Sequence, residues 1–191
     1  MNTDTTGQAF FEQKYRACAD PWNFASSPYE QQRYASILRA LDFRRYRCAF
    51  EPGCSIGALT APLAGLCDRV EAMDIAPTAV EQARQRCGHL PNVRVTCGAL
   101  PHVPFSGDFD LLLFSEIGYY FQADELHRIA SNLLTRLTPG GCFLAAHWLG
   151  QSPDHILSGD HVHQVLSSLP GIALDLSERH PGYRLDRWVK I

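Results

Sequence analysis

The residue types best suited to chemistry stand in one stretch, Cys48-Ala49-Phe50-Glu51-Pro52-Gly53-Cys54-Ser55-Ile56-Gly57, with Asp74 seventeen residues further on. A short apolar run ends in an acid, Glu51, and in a turn bounded by Gly53 and Gly57. A second apolar run, Val70-Glu71-Ala72-Met73, ends in Asp74. Glycines let main chain approach a ligand closely, and a carboxylate fixed at a strand end can accept hydrogen bonds from ribose hydroxyls. This layout is that of a nucleoside-type cofactor held at the mouth of a parallel sheet.

The first acid narrows the choice of cofactor. The dinucleotide pattern Gly-x-Gly-x-x-Gly seats a pyrophosphate on a helix N-terminus. Here Glu51 stands two residues before Gly53, and Cys54 occupies the region of the usual middle glycine. A carboxylate there repels phosphate and attracts a cation or an amine. S-adenosylmethionine carries a sulfonium, an α-amino group and no phosphate, so it fits better than a nicotinamide dinucleotide. Ile75 could pack on the adenine face, and Gly98, Ala99 and Leu100 would border its edge. The same turn also reads as Gly-x-Ser-x-Gly, the nucleophile elbow of α/β-hydrolases, with Ser55 as nucleophile. An elbow normally follows a central strand reached after several βα units, whereas this one follows the first expected strand. An NAD(P)-dependent reductase or a non-catalytic cofactor-binding domain would also use a glycine turn followed by a strand-end acid.

A second set of residues could act on an acceptor. Open α/β sheets bind ligands beyond the carboxyl ends of their strands. There Ser115, Glu116, Tyr119 and Tyr120 follow the fourth expected strand, and His147 and Trp148 end the fifth. Glu116 could hold a cationic amine or take its proton, and His147, titrating near neutrality, could do the same. Tyr119, Tyr120 and Trp148 offer an aromatic wall to a cationic or sugar-like acceptor. Plain packing of the tyrosine pair and of the strand-end histidine is the competing reading. His161-x-His163 beside Asp160 does not converge on a metal, because helical residues two apart point in different directions. No metal site is expected, these histidines are expected on the surface, and His155 with Gly159-Asp160 would shape the substrate rim.

The elements that must position these groups follow from periodicity and punctuation. Residues 7–19 carry Phe10, Phe11 and Tyr15 at helical spacing before Asp20-Pro21-Trp22-Asn23 breaks the pattern. Ser27-Pro28 opens a second helix, with Ser as cap and Pro at the first position, and that helix runs to about Phe43 with Tyr34, Ile37, Leu38 and Leu41 on one face. From Arg47 strands near 47–51, 70–74, 93–97, 109–115 and 142–148 alternate with helices near 57–66, 77–87 and 123–136. Pro62 disturbs the first of these helices, and Gly140-Gly141 turns the chain out of the last. A helix over 161–168 precedes runs at 172–179 and 183–189, separated by His180-Pro181-Gly182, which add an antiparallel hairpin to one edge. The result is an α/β fold: a Rossmann-like, mostly parallel seven-stranded sheet with helices on both faces, as in class I methyltransferases. One domain is expected over 1–191, with 1–45 as a helical lid and 46–191 as the core.

Composition excludes several classes. With net charge −3 and pI near 6.2 there is no basic excess to hold nucleic acid, and Arg44, Arg45 and Arg47 suit a helix end. No apolar run approaches the ~20 residues that span a bilayer. The opening Asn2-Thr3-Asp4-Thr5-Thr6 lacks the order of a secretory signal, and seven cysteines without a Cys-x-x-Cys pair fit a reducing, cytoplasmic setting. Either a monomer or a homodimer is compatible with the chain.

Several segments together resemble the S-adenosylmethionine-dependent methyltransferases and, within them, the nodulation protein S family. They are Asp20-Pro21-Trp22-Asn23, Ser27-Pro28-Tyr29-Glu30-Gln31, Glu51 to Gly57, Ser115-Glu116-Ile117-Gly118-Tyr119-Tyr120, His147-Trp148-Leu149 and Leu157-Ser158-Gly159-Asp160. The resemblance implies N-methylation of an amine on a small molecule or amino sugar, as that family methylates the free amine of a deacetylated chitooligosaccharide. O-methylation is the nearest variant, and S-adenosylhomocysteine would be the product. Carried over by position, Gly53, Ser55 and Gly57 would contact the methionine part and Asp74 the ribose. Trp22 and Arg33 would come from the lid, Arg33 reaching the cofactor carboxylate. Many relatives place an acid near Ala99 to bind the adenine amino group; this chain has none there, so backbone or water must serve.

Overall fold

A computed structural model describes residues 7–42 and 44–191. In chain order the elements are α1 (Gln8–Ala17), α2 (Pro28–Ala40), β1 (Ala49–Pro52), α3 (Thr60–Leu63), β2 (Val70–Asp74), α4 (Pro77–Cys87) and β3 (Val93–Cys97). They continue with β4 (Phe109–Ser115), α5 (Ala123–Arg136), β5 (Leu137–Trp148), α6 (Gly159–Ser167), β6 (Ile172–Arg179) and β7 (Tyr183–Lys190). The strands form one sheet in the order β3-β2-β1-β4-β5-β7-β6. The first five are parallel, while β7 runs antiparallel to both β5 and β6, so the hairpin inserts its second strand next to the parallel set.

Alternation along the central strands builds two cores. Leu111, Leu113, Leu144 and Leu185 face one side, where Ile37 and Leu41, Leu63 of α3, and Val80 and Ala83 of α4 cover them. Leu112, Phe114, Phe143 and Trp188 face the other, against Leu126, Ile129 and Leu133 of α5 and Val162 and Leu166 of α6. Because successive strand side chains point to opposite faces, near-continuous apolar runs are what a sheet covered on both sides demands.

The fold departs from the sequence expectation at several points. Ser27 precedes Pro28 at the start of α2 but makes no side-chain cap bond. The helix ends at Ala40, short of Phe43, which lies outside the described residues. Ile37 and Leu41 are fully buried in the sheet's core, so α2 is a structural layer rather than an appendage. The helix expected over 57–66 is only the single turn α3 followed by a 3₁₀ turn at Ala64–Leu66, since Pro62 has no N–H to extend an α-helical ladder. Strand β5 starts at Leu137, directly after α5. Its pairing with β4 jumps from Phe109↔Leu137 to Leu111↔Cys142, with Gly140 at φ +72 in the irregular stretch. Helix α6 begins two residues early, at Gly159, where Ser158 accepts a capping bond from His161 N–H.

Candidate active site

A cleft of about 870 Å³ opens beyond the carboxyl ends of the parallel strands. Its floor is the turn after β1. Gly53 (φ +75), Ser55 (φ +51) and Gly57 (φ +76) all take left-handed backbone, which for Ser55 is strained and for the glycines is free. A Cβ on Gly53 would run into the Ile117 side chain, and one on Gly57 would sit 3.2 Å from the Ala83 backbone of α4. The turn is pinned to β2: Met73 C=O accepts from Gly53 N–H (2.6 Å) and Cys54 N–H (2.9 Å). Asp74 Oδ2 accepts from Ser55 N–H at 2.8 Å and Oδ1 from Ala76 N–H at 2.9 Å.

Asp74 lines the cleft with its carboxyl pushed up to about 6, chiefly by burial, which the bonds from Ala76 and Ser55 partly offset. Ionised, it has lone pairs beyond those two backbone bonds. Ile75, Gly98, Ala99 and Leu100 line the same end. Helix α1 closes over it: Tyr15 O–H donates to Ser55 Oγ at 2.5 Å, Gln8 Nε2 to Ile75 C=O at 2.9 Å, and Glu12 accepts from Thr78 N–H at the start of α4 at 3.0 Å. Tyr15 also lines the cleft, although its only signal in the sequence is the aromatic spacing of a helix, which does not mark a site residue.

At the other end a charged cluster meets an aromatic one. Arg33 Nη1 is 2.7 Å from Glu116 Oε1, and its Nη2 is 2.5 Å from Glu30 Oε2. Trp148 N–H donates to Glu116 Oε1 (2.7 Å) and Tyr119 O–H to Glu116 Oε2 (2.5 Å). Glu116 itself sits at φ +60, the same left-handed region as Ser55. Burial pushes Glu30 up to about 7, with Arg33 pulling the other way. Burial opposes charge on Arg33, yet Glu116 and Glu30 outweigh it and hold the guanidinium firmly protonated. Trp22, Tyr120, Trp148 and His155 complete the walls.

Five residues expected at the site do not line the cleft. Cys54 packs into the core, Gly57 lies against α4, and Ser115 remains within β4 paired with Ala146. Glu51, expected to meet an amino group directly, is buried beneath the turn. Its carboxyl is raised to about 8 by burial, against a partial offset from Thr60 and with Asp74 adding to the rise, and Oε2 has no hydrogen-bond partner of good geometry. His147, expected at the acceptor, is fully buried because β5 turns that face inward. Gly118 N–H donates to His147 Nε2 (3.0 Å), which places the ring proton on Nδ1, facing His163 Nε2 at 3.2 Å. His163 Nδ1 in turn meets Asp186 Oδ2 at 2.7 Å. Burial first, and then the neighbouring His163, hold His147 well below its ordinary value and therefore neutral. The expectation of surface histidines is likewise corrected, since His163 is buried in this chain of bonds.

The rival chemistries lack their geometry. Ser55 Oγ accepts from Tyr15 and makes no hydrogen bond to a histidine among the described residues, so no elbow triad is assembled. The helix after the turn begins only at Thr60, leaving no helix N-terminus at the turn for a pyrophosphate. Among the described residues no group of three or more His, Cys, Asp or Glu is placed to hold a metal, and no helix is long and apolar enough to cross a membrane.

A family model for nodulation protein S (NodS) matches residues 5–166. Nodulation protein S of Bradyrhizobium diazoefficiens is 38% identical over 128 residues, covering 64% of this chain and 60% of that protein. The Sinorhizobium fredii protein of the same name is 32% identical over 127 residues, covering 65% and 59%. The match thus spans less than two thirds of these curated relatives. Among solved structures, a candidate methyltransferase from Pseudomonas syringae superposes with TM-score 0.75 at 40% identity, over 85% of this chain and 99% of that one. The N-methyltransferase NodS from Bradyrhizobium japonicum WM9, in complex with S-adenosyl-L-homocysteine, gives 0.84 at 22% identity over 97% and 98%, a likeness of fold. A seven-stranded sheet with this turn and this acid, and a family match running through all five parallel strands to α6, make the chain a member of the nodulation protein S family.

Proposed function

We propose that the protein is an S-adenosylmethionine-dependent methyltransferase acting on an amine of a small molecule or amino sugar. The observation that carries this is the pairing of Asp74 with the Gly53–Gly57 turn. A carboxylate held by two backbone N–H groups keeps lone pairs for a ribose diol, on a floor that offers no cation to a phosphate. Gly53 and Ser55 would border the methionine part, Asp74 the ribose, and Ile75 with Gly98, Ala99 and Leu100 the adenine. The unpartnered Oε2 of Glu51 beneath the turn has capacity for a hydrogen bond relayed from the amino group. Arg33 and Trp22 are read as the carboxylate end, and residues up to 45 as a cover whose α1 is tied down through Tyr15, Gln8 and Glu12.

Bound there, the cofactor supplies a methyl group activated by a neighbouring sulfonium. The chain's own task is to align an acceptor and exclude water. Glu116, fixed by Arg33, Trp148 N–H and Tyr119, presents negative charge to an ammonium, and Tyr120 and Trp148 present ring faces to the same cation. The relatives' name as N-methyltransferases supports nitrogen as the acceptor atom.

Transfer of radiolabelled methyl from S-adenosylmethionine to a panel tests this reading, with glucosamine, a chitotetraose deacetylated at its non-reducing end, simple alkylamines and a catechol. Label is expected on at least one amine and not on the catechol. Label on the catechol alone, or on nothing while the cofactor product binds, contradicts it.

A further inference from the structure

We propose that His155 is the group that takes the proton from the acceptor ammonium, an inference that rests on the amine-methyltransferase reading above. An ammonium has no lone pair, so a base must act before or during attack. The cleft offers few. Glu116 has both oxygens occupied, by Arg33 and Trp148 N–H on one and Tyr119 O–H on the other. His147 is sealed beneath Gly118 with both ring nitrogens engaged. Glu30 is clasped by Arg33. Tyr119 and Tyr120 are phenols pushed up by burial and by nearby Glu116, and remain protonated. Asp74 belongs to the far end of the cleft.

His155 differs from all of these. Its ring lies flat on Tyr119, centroids 3.7 Å apart and planes 16° from parallel, and stands edge-on to Tyr120 at 5.4 Å and to Trp148 at 6.0 Å. It lines the cleft beside Glu116. Among the described residues neither ring nitrogen makes a hydrogen bond, so an imidazole clamped by three aromatic rings keeps a free lone pair. Its loop is held in place: Ile156 and Leu157 N–H groups donate to Tyr119 C=O at 2.8 and 3.1 Å, and Asp154 pairs with Lys14 of α1 at 3.5 Å. The groups facing it are Glu116 after β4, Tyr119 and Tyr120 of the following turn, His147 of β5, and Asp154 of its own loop with Lys14 behind. Burial holds its basicity below the ordinary value, with Asp154 and Glu116 pulling upward, so the ring is neutral at pH 7.

The step balances with the groups named. R–NH₃⁺ gives one proton to the imidazole and becomes R–NH₂. The freed lone pair forms the N–C bond as the C–S bond breaks, its electron pair staying on sulfur. The product leaves as R–NH₂⁺–CH₃, and the imidazolium returns its proton to solvent.

The test uses the full chain and whichever amine of the panel wild type methylates. His155→Phe keeps the stacked ring and removes the nitrogens, and His155→Gln serves as a second variant should the first misfold. Turnover should fall about 100-fold at pH 7, with S-adenosylhomocysteine affinity within about twofold of wild type. The deficit should shrink as pH rises past the acceptor's own ionisation, because free amine then arrives without a proton to lose. A deficit under about threefold at pH 7, one that stays constant with pH, or a pH-dependent deficit in Glu30→Gln instead overturns the assignment. Wild type that binds the cofactor product but methylates no amine sinks the function itself, and this proposal with it.

Discussion

Glu51 is a carboxyl that folding must protonate, and replacing it should stabilise the protein. In the unfolded chain it ionises at an ordinary value near 4.5; in the fold it ionises at about 8, because burial penalises the anion. The folded state therefore binds more protons between these values, and stability falls as pH rises through that window. At pH 7 the wild type loses about 3 kcal/mol in this way. Glu51→Gln keeps the shape and never ionises, but brings a second buried donor that costs about 1 kcal/mol. The net gain is about 2 kcal/mol, or about 4–8 °C in Tm for a chain of this size. Urea unfolding of both proteins between pH 6 and 8 gives the sharper signature: the gap should widen by about 2 kcal/mol across that range. Histidine titrations common to both proteins cancel in the difference. A gap that stays flat with pH, or a variant less stable than wild type at pH 8, would refute the reasoning.

The buried bonds from Gly118 to Asp186 make a second prediction. His163→Leu leaves His147 Nδ1–H and an Asp186 oxygen without their partner, and should cost about 2–4 kcal/mol in urea unfolding. His163→Gln, able to accept from one side and donate to the other, should recover at least half of the loss; equal losses in the two variants would show that only ring volume matters. Because His147 is held neutral in the fold but titrates near 6.5 when unfolded, its contribution is present above that value and fades as pH falls below it.

Much of this architecture is legible in the sequence because its punctuation is local. Helices 77–87 and 123–136 and strands 70–74, 93–97, 109–115 and 172–179 agree with the expectation, set by apolar period and by residues such as Pro77. The turn is legible because left-handed backbone at Gly53 and Gly57 calls for glycine. The place of His147 is not, because the face a strand residue takes depends on register, and one residue decides between cleft and core. The bond from Tyr15 to Ser55 joins residues 40 apart in sequence, and the link from His163 to Asp186 joins a helix to the inserted strand β7. No spacing rule reveals such contacts. His155 gains its place only when the loop after β5 folds onto Tyr119.

Calorimetric titration of S-adenosylhomocysteine into wild type and Asp74→Ala goes most directly to the cofactor site. Wild type should bind in the micromolar range, about −8 kcal/mol. The variant, lacking the charged acceptor at the turn, should lose about 1.5–3 kcal/mol while remaining folded. Undetectable binding to wild type, or equal affinity in the two proteins, would contradict the assignment of this cleft.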